Sequence, residues 1–339
     1  MRKFIIKVLF YFIPFLCICG GYKIQAKYYT SGDLGRLGKI SFGKSYNEKL
    51  ELNYLTENLV ENTTIENFQP SKTLKIVTIG DSFSRQGIFG YQNYLAHTLN
   101  DSIINILEYE QKFESAISFL ENENVDGSNC QILIVERVDR LLVPNLCNID
   151  FEPLCELPQN ESTKSINKDS ALYTLTSWIR LLFGYDNPVL KYDLKQNCFT
   201  HSRFSHKLFF YIYDFDFKKT KSTDIEKAKE KLILLNKKAS EKGIKMIFLI
   251  AADKYDVYRP FMTDDSLPID TTTDELSNIP GVCIINTKYL LQDMVRNGEK
   301  DVYMVNDTHW SYKASEAVAK KLAENIDSLG KRVTPPQLP

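Results

Sequence analysis

The stretch that decides the fold is Leu74-Lys75-Ile76-Val77-Thr78-Ile79-Gly80-Asp81-Ser82-Phe83-Ser84. Residues 74–79 form a short apolar run that ends at Gly80, which is typical of a buried strand. The residues after the run, Gly80 to Ser82, are of the kinds that form turns, and a helical pattern begins at Tyr91. The stretch therefore predicts a core strand that leads through a turn into a helix, as in an α/β sheet.

Further apolar runs of strand length follow along the chain, and helical patterns lie between most of them. The strands are predicted at residues 103–107, 131–135, 244–250 and 282–285. The helices are predicted at residues 91–99, 110–120, 224–242, 289–296 and 312–329. Strands that alternate with helices predict one α/β domain, built on a parallel sheet of about five strands wrapped by helices.

Composition divides the chain into four parts. Residues 1–26 are predicted to be a signal peptide or signal anchor, and the polar residues 27–70 a stalk or N-terminal extension. Residues 71–330 hold the predicted α/β domain, with an insertion at about 141–223 between its third and fourth strands. Residues 331–339 form a tail.

The first residues predict export from the cytoplasm. Arg2, Lys3 and Lys7 flank an apolar run at residues 8–19, and this order is typical of a secretory signal or a signal anchor. Counted from Phe4, the segment has about the length of a tilted membrane helix. With the positive end held inside, the rest of the chain lies on the extracytoplasmic face of the cytoplasmic membrane, in the periplasm. An anchor and a cleaved signal both fit, and an anchor fits better.

The composition excludes several classes of protein. The chain has 42 Lys+Arg and 43 Asp+Glu, for a net charge of −1, so nothing favours a nucleic-acid partner. Hydrophobic content of 43% and charged content of 25% are those of a folded protein. The seven Cys and four His form no C-x-x-C motif and show no metal-ligand spacing, so neither a metal nor a cofactor is expected.

Ser82 is the candidate nucleophile. It follows the first core strand directly, and ligands of open α/β sheets bind beyond the carboxyl ends of the strands. A serine on a turn opened by Gly80 exposes its hydroxyl, and nearby helix N-terminal amides can hold an oxyanion. The alternative is an ordinary turn with a helix cap.

A second motif, Asn306-Asp307-Thr308-His309-Trp310, stands just before the last helix. A serine nucleophile needs a base, and the base needs a group that fixes its tautomer. Asp307 and His309 supply both if their loop folds back over the sheet edge. Alternatively, Asp307 caps the helix and His309 lies on the surface. The joint presence of Ser82 and Asp307-x-His309 favours a Ser-His-Asp triad.

The two motifs together resemble those of SGNH (GDSL-type) hydrolases, whose fold is a flavodoxin-like parallel sheet of about five strands. The residues of these motifs are most similar to those of the alginate O-acetyltransferase-like proteins of the AlgX and AlgJ kind. The segments that carry the resemblance are Gly80 to Ser84, Glu136 to Arg140, Ala252 to Tyr258 and Asp307 to Ser311. In those proteins the Asp-x-His element precedes the Ser, whereas here it follows, an order that triads tolerate because geometry and roles define them.

The resemblance implies an extracytoplasmic O-acyltransferase that moves acetyl groups to hydroxyls of a cell-surface or exported polysaccharide through an acyl-Ser82. It also implies a membrane-bound acyltransferase partner that delivers the acyl group, because acetyl-CoA is absent outside the cytoplasm. Two alternatives stay open. One is an SGNH carbohydrate esterase, a deacetylase with the same catalytic residues. The other is a catalytically silent subunit that binds polysaccharide or assembles an export machine.

Further residues are candidates for contacts with the substrate or the oxyanion, because they lie in the first turn or follow predicted strands. They are Asp81, Gly87, Gly90, Glu136, Arg140, Lys254 and Tyr255. Gly87 or Gly90, together with the amide of Ser82, would donate to the oxyanion. Glu136 and Arg140 follow the third strand, where an ion pair or a solvated face is the alternative. Lys254 and Tyr255 follow the fourth strand, where the alternative is a structural role.

Overall fold

The strands and helices alternate along most of the chain. The strands are β1 Val60–Thr63, β2 Ile76–Ile79, β3 Ile103–Ile106, β4 Ile132–Val138, β5 Val189–Asp193, β6 Lys207–Tyr211, β7 Lys245–Ala251 and β8 Cys283–Asn286. The α-helices are α1 Asp33–Gly38, α2 Tyr91–Leu99, α3 Phe113–Glu121, α4 Asp139–Cys147, α5 Ser222–Glu241, α6 Lys254–Tyr258, α7 Thr272–Leu276, α8 Thr287–Arg296 and α9 Tyr312–Lys331. Short 3-10 helices lie at Ser82–Arg85, Gly87–Phe89, Ile212–Lys219 and Arg259–Phe261.

These elements come from a computed structural model, which describes the chain in several ranges. Residues 76–107, 113–149 and 187–331 are described without a gap. Described before them are residues 3–4, 6–8, 10–16, 20, 32–38, 40, 42, 55 and 57–68. Within these ranges, no helix has both the length and the apolar character needed to cross a membrane. Half of residues 1–26 lie outside the described ranges, so the N-terminal membrane segment stays a prediction.

The central sheet is parallel and has the strand order β1-β3-β2-β4-β7-β8. Thr78 of β2 pairs with Asn105 of β3 on one side and with Ile134 of β4 on the other. The order of the last five strands is the flavodoxin-like one, in which the chain winds outward in both directions from the middle of the sheet. The five strands predicted from the sequence are confirmed, and so is their parallel arrangement.

The sixth strand of this sheet comes from residues 27–70, for which a stalk or N-terminal extension was predicted. β1 pairs in parallel with β3 at the edge of the sheet, with Val60 opposite Ile103. The side chain of Asn93 in α2 accepts a hydrogen bond of 2.9 Å from the amide of Leu59 and so fixes the approach to β1. The described part of residues 27–70 thus packs onto the α/β domain and differs from the extended stalk that its polar sequence suggested.

Successive side chains of the strands β2, β3, β4, β7 and β8 alternate between two apolar cores, one on each face of the sheet. In β4, Ile132 and Ile134 point to the first core, and Leu133 and Val135 point to the second. Apolar residues of α2, α6, α8 and α9 fill the first core, and those of α3, α4, α5 and α7 fill the second. Burial on both faces explains why the strands read as continuous apolar runs, without alternation.

Between β4 and β7 the chain forms α4 and then an antiparallel pair, β5 and β6, in which Leu190 lies opposite Phe210. The Phe210 ring packs 5.0 Å from the Tyr255 ring, which joins this pair to the first core. This part of the chain corresponds to the predicted insertion at about 141–223, of which residues 150–186 lie outside the described ranges.

Candidate active site

The turn after β2 is tied to the end of β4. Asp81 Oδ1 accepts a hydrogen bond of 3.1 Å from the Phe83 amide, which caps the following 3-10 helix. Asp81 Oδ2 accepts one of 2.8 Å from the amide of Val138, the last residue of β4. The Asp81 amide donates at 3.0 Å to Glu136 Oε2. Asp81, predicted to contact the substrate or the oxyanion, is buried and holds the turn in place.

The two serines of this turn have opposite environments. The Ser84 hydroxyl is buried, donates to Glu136 Oε2 at 2.8 Å and lies 3.2 Å from the Tyr91 hydroxyl. Ser82 is the first residue of the 3-10 helix, and it is exposed. Of the two, Ser82 is the one that a substrate can reach, in agreement with the prediction.

Gly80 permits this turn because its α-carbon lies against Glu136 and Ser84. A Cβ at Gly80 would come within 2.1 Å of Ser84 Oγ and 2.4 Å of Glu136 Oε2. Both of these side chains are buried and hydrogen-bonded to each other, so they have little room to move.

We expect Gly80→Ala to lower the free energy of unfolding by about 1–3 kcal/mol, because overpacking of a buried site has this cost. Denaturant unfolding followed by circular dichroism measures the change. Ser82→Ala, which alters the same turn without adding a buried atom, is the control and should unfold like the parent chain. Equal stability of Gly80→Ala and the parent would contradict the close approach at Gly80.

Asp307 and His309 form the pair that a triad requires. His309 Nδ1 lies 2.6 Å from Asp307 Oδ1, so Nδ1 carries the proton and Nε2 is left to act as the base. Burial disfavours the charge on both groups, but their hydrogen bond and their mutual attraction outweigh it. The pKa of Asp307 is therefore lowered and the pKa of His309 is raised. The arrangement stabilises an imidazolium beside a carboxylate.

The loop that carries this pair lies against the turn that carries Ser82. The ring of Phe83, the residue after Ser82, lies 5.1 Å from the His309 ring and 4.7 Å from the Trp310 ring, measured between centroids. No hydrogen bond joins Ser82 to His309 within the described ranges, and catalytic hydrogen bonds often tighten only when substrate is bound. The geometry brings the turn and the loop together at the carboxyl edge of the sheet, and the catalytic roles stay a prediction.

Lys254 holds the backbone of the loop that carries Asp307 and His309. Its ammonium is buried and donates to the carbonyl oxygens of Met304, Val305 and Asp307 at 2.7, 3.1 and 3.0 Å. Burial lowers the pKa of Lys254 to about 7, and the charges of Asp307 and Asp33 act against that effect. The three N–H groups match three carbonyls, which makes Lys254 a positioning residue rather than a contact for the substrate.

Asp33 was not among the candidates, yet it contacts the loop directly. From the start of α1, Asp33 Oδ1 accepts a hydrogen bond of 2.9 Å from the Thr308 amide, and Oδ2 accepts another from the Thr308 hydroxyl. The Asp33 amide donates to Asp307 Oδ2 at 3.3 Å. Burial, followed by the charge of Asp307, raises the pKa of Asp33. Residues at the start of α1 therefore help to hold the Asp307–His309 pair in place.

Asp33→Asn is expected to lower kcat for cleavage of an activated ester by up to about 100-fold, because an amide cannot accept both hydrogen bonds from Thr308 and the loop shifts. Asp33 also raises the pKa of His309. The acid limb of the pH–rate profile should therefore move to lower pH, since activity requires neutral His309. Asp126→Asn, an exposed change in the loop before β4, is the control. An unchanged profile would mean that Asp33 has no such role.

The candidates Glu136, at the end of β4, and Arg140, in α4, form contacts within the protein. Glu136 is 1% exposed, and burial, helped by the charge of Asp81, raises its pKa well above its usual value. Arg140 pairs with Asp253 and, at 3.4 Å, with Asp214. These contacts give Glu136 a role behind the turn and Arg140 a role in joining β4 to the helix after β7.

Three other candidates have structural contacts as well. Tyr255 is fully buried, and its hydroxyl donates to the carbonyl oxygen of Pro268. The Gly90 amide donates at 3.0 Å to the carbonyl of Gly87, so it is not available to an oxyanion. Gly87 itself is exposed, with φ of +59°. In the turn after β2, Asp81 accepts hydrogen bonds from the amides of residues 83 and 84, so the Ser82 amide stays the candidate oxyanion donor there.

Asp33, Asp307 and His309 place ligand atoms within 4.8 Å of one another, a spacing that also suits a metal ion. Each of the three is already engaged, since His309 binds Asp307 and Asp33 binds Thr308. This hydrogen bonding fits a catalytic pair with a supporting carboxylate better than a metal centre.

Comparison with known proteins bears on the part of the chain that carries the His-Asp loop. No curated protein matches the chain. A protein-family model matches residues 208–337. These residues run from within β6 through α9 and include Lys254, Asp307 and His309. Ser82 precedes the matched residues, so its assignment depends on the turn geometry and the motif. The predicted resemblance is confirmed, because residues 208–337 match the model of the SGNH hydrolase-like domain, acetyltransferase AlgX.

Proposed function

We propose that the protein is a serine O-acyltransferase that moves acetyl groups to hydroxyls of a cell-surface or exported polysaccharide. The observation that carries the proposal is the Asp307–His309 pair, whose loop packs through Phe83 against the turn of the exposed Ser82. The similarity of residues 208–337 to an acetyltransferase domain supports the choice of acyl transfer.

In this proposal His309 Nε2 takes the proton from Ser82 Oγ as the oxygen attacks the acyl carbonyl of the donor. Asp307 keeps Nδ1 protonated and stabilises the imidazolium. The Ser82 amide donates to the oxyanion, and collapse of the intermediate expels the donor's leaving group with the proton from His309. A sugar hydroxyl then attacks the acetyl-serine and gives its proton to His309. Collapse of this second intermediate releases the acetylated sugar, and His309 returns the proton to Ser82 Oγ.

The donor and the location belong to the same proposal. The basic and apolar N-terminal sequence favours an extracytoplasmic site of action, at the membrane or released from it. Acetyl-CoA is absent there, so a membrane-bound acyltransferase partner would deliver the acetyl group. The exposure of Ser82 at the sheet edge suits a donor group and a polymer that arrive from outside.

The test uses the full chain with an activated acetyl ester as donor and neutral oligosaccharides as acceptors. We expect ester cleavage to depend on Ser82, and added acceptor to divert the acetyl group to sugar hydroxyls, detected by mass spectrometry of the oligosaccharide. Heat-denatured protein and Ser82→Ala are the controls.

Each outcome selects one function. Cleavage that never yields acetylated sugar, combined with Ser82-dependent release of acetate from acetylated oligosaccharides, would replace the transferase with a deacetylase. If Ser82→Ala and the parent chain cleaved the ester at the same rate, the acyl-Ser82 mechanism would be excluded. The alternative of a catalytically silent polysaccharide-binding subunit would then be favoured.

A further inference from the structure

Three buried carboxylates meet at the carboxyl edge of the sheet, apart from the Asp307–His309 pair. Asp139 is the first residue of α4, Asp256 lies in α6, and Asp270 stands two residues before α7. One carboxylate oxygen from each lies within 4.8 Å of the others. The three residues are 4%, 2% and 3% exposed, respectively. Water therefore has little access to any of them.

Asp256 is the member of the cluster that the protein leaves unsatisfied. Neither of its carboxylate oxygens has a hydrogen-bond partner, although both are buried. Asp139 Oδ2 accepts a hydrogen bond of 3.0 Å from the Thr273 hydroxyl, and Asp270 Oδ1 accepts one of 2.8 Å from the Thr272 amide. A buried carboxylate with no partner is costly, and native structures rarely contain one without an ion or a bound group.

The cations nearby are bound elsewhere. Lys288 Nζ donates to the carbonyl oxygen of Asp270 at 2.5 Å and to Asp274 Oδ2 at 2.9 Å. Arg140, next to Asp139 in the chain, pairs with Asp253 and Asp214. Neither side chain forms an ion pair with the three clustered carboxylates in the described ranges. The charge of Lys288 acts on all three of them, so three carboxylates share a cation that hydrogen-bonds to other oxygens.

We propose that Asp139, Asp256 and Asp270 bind one divalent cation of the hard, oxygen-preferring kind, Ca²⁺ or Mg²⁺. Two oxygens on opposite sides of one Ca²⁺ are about 4.6–5.2 Å apart, so a cluster within 4.8 Å accommodates a single ion. The ion would join the first turn of α4 to α6 and to the approach to α7. Because α6 also carries Lys254, the bound cation would stabilise the position of the lysine that holds the His309 loop. The proposal does not depend on the acyltransferase activity.

The test is the thermal unfolding of the full chain after removal of metal with a chelator, with CaCl₂ or MgCl₂ added in separate titrations. We expect one equivalent of one of these cations to bind, measured by elemental mass spectrometry after desalting. We also expect a rise of about 4–6 °C in Tm at one hundred times Kd. The cation with the larger rise is identified as the ligand.

Asp256→Asn keeps the shape of the side chain and removes its charge, so this variant should fold, bind no cation and show no rise in Tm. Asp265→Asn, a change at an exposed carboxylate in the loop before α7, is the matched control and should respond like the parent. A folded parent chain that binds neither cation, with a Tm indifferent to both, would overturn the proposal. So would an Asp256→Asn variant that responds as strongly as the parent.

Discussion

Replacement of Ser82 by alanine is expected to abolish acetyl transfer, with a loss of roughly 10⁴–10⁶-fold in kcat. The hydroxyl is the atom that forms the acyl-enzyme, and no remaining group in the exposed part of the turn can replace it. Residual activity would come from the His309 base and the oxyanion donor alone. The measurement is steady-state cleavage of an activated acetyl ester, with and without an acceptor sugar.

Ser84→Ala is the matched control, because it removes the same atom two residues along the same turn. Its hydroxyl faces Glu136, away from solvent, so we expect a change of less than about tenfold in kcat and a modest loss of stability. If Ser84→Ala were the inactive variant and Ser82→Ala were active, the nucleophile assignment would be reversed.

Asp307→Asn is expected to lower kcat by about 10⁴-fold, since the His309 ring would lose the carboxylate that fixes its tautomer and balances the imidazolium. An asparagine has almost the same shape, so the loop should stay in place. The fold can be checked by unfolding measurements on the same sample, which should differ little from those on the parent chain.

The same variant has a defined effect on the pH dependence. Asp307 raises the pKa of His309, and the general base must be neutral, so activity of the parent rises with pH through that pKa. Removal of the Asp307 charge lowers the pKa of His309. The acid limb of kcat/KM should therefore move to lower pH while the plateau falls. A limb that moves to higher pH, or does not move, would contradict the pairing of Asp307 with His309.

The sequence was sufficient for the centre of the fold and for the motifs of the site. The four inner strands β2, β3, β4 and β7 are buried on both faces, so they appear as continuous apolar runs that a single sequence reveals, and the edge strand β8 has such a run as well. Ser82, Asp307 and His309 stand at the ends of such elements, where the order of strands and helices fixes their approximate place. These predictions depended on local signals only.

The parts that the sequence did not predict depend on contacts between distant residues. β1 is a four-residue edge strand with the sequence Val-Glu-Asn-Thr, half exposed, so it has no apolar run to mark it. Asp33 meets Thr308 across 275 positions of sequence, and no local pattern announces that contact. The burial of Asp256, within Lys-Tyr-Asp-Val-Tyr, follows from the packing of α6 against its neighbours.

The roles of Glu136 and Arg140 show a related difficulty. Both follow a strand on the side of the site, which is the reason they were candidates for substrate contacts. Position along a strand does not tell whether a polar side chain faces the solvent or a neighbouring turn. The hydrogen-bond and ion-pair partners determine the role of each side chain. Glu136 contacts the turn after β2, and Arg140 pairs with two aspartates.

The most direct test of the central claim is to trap the acyl-enzyme. The full chain would be mixed with an activated acetyl ester, quenched in acid and digested, and the peptides examined by mass spectrometry. We predict one acetyl group on the peptide that contains Ser82, assigned to Ser82 by fragmentation, longer-lived in Asp307→Asn and absent from Ser82→Ala. An acetyl group on another residue, or ester cleavage that never labels Ser82, would contradict the account.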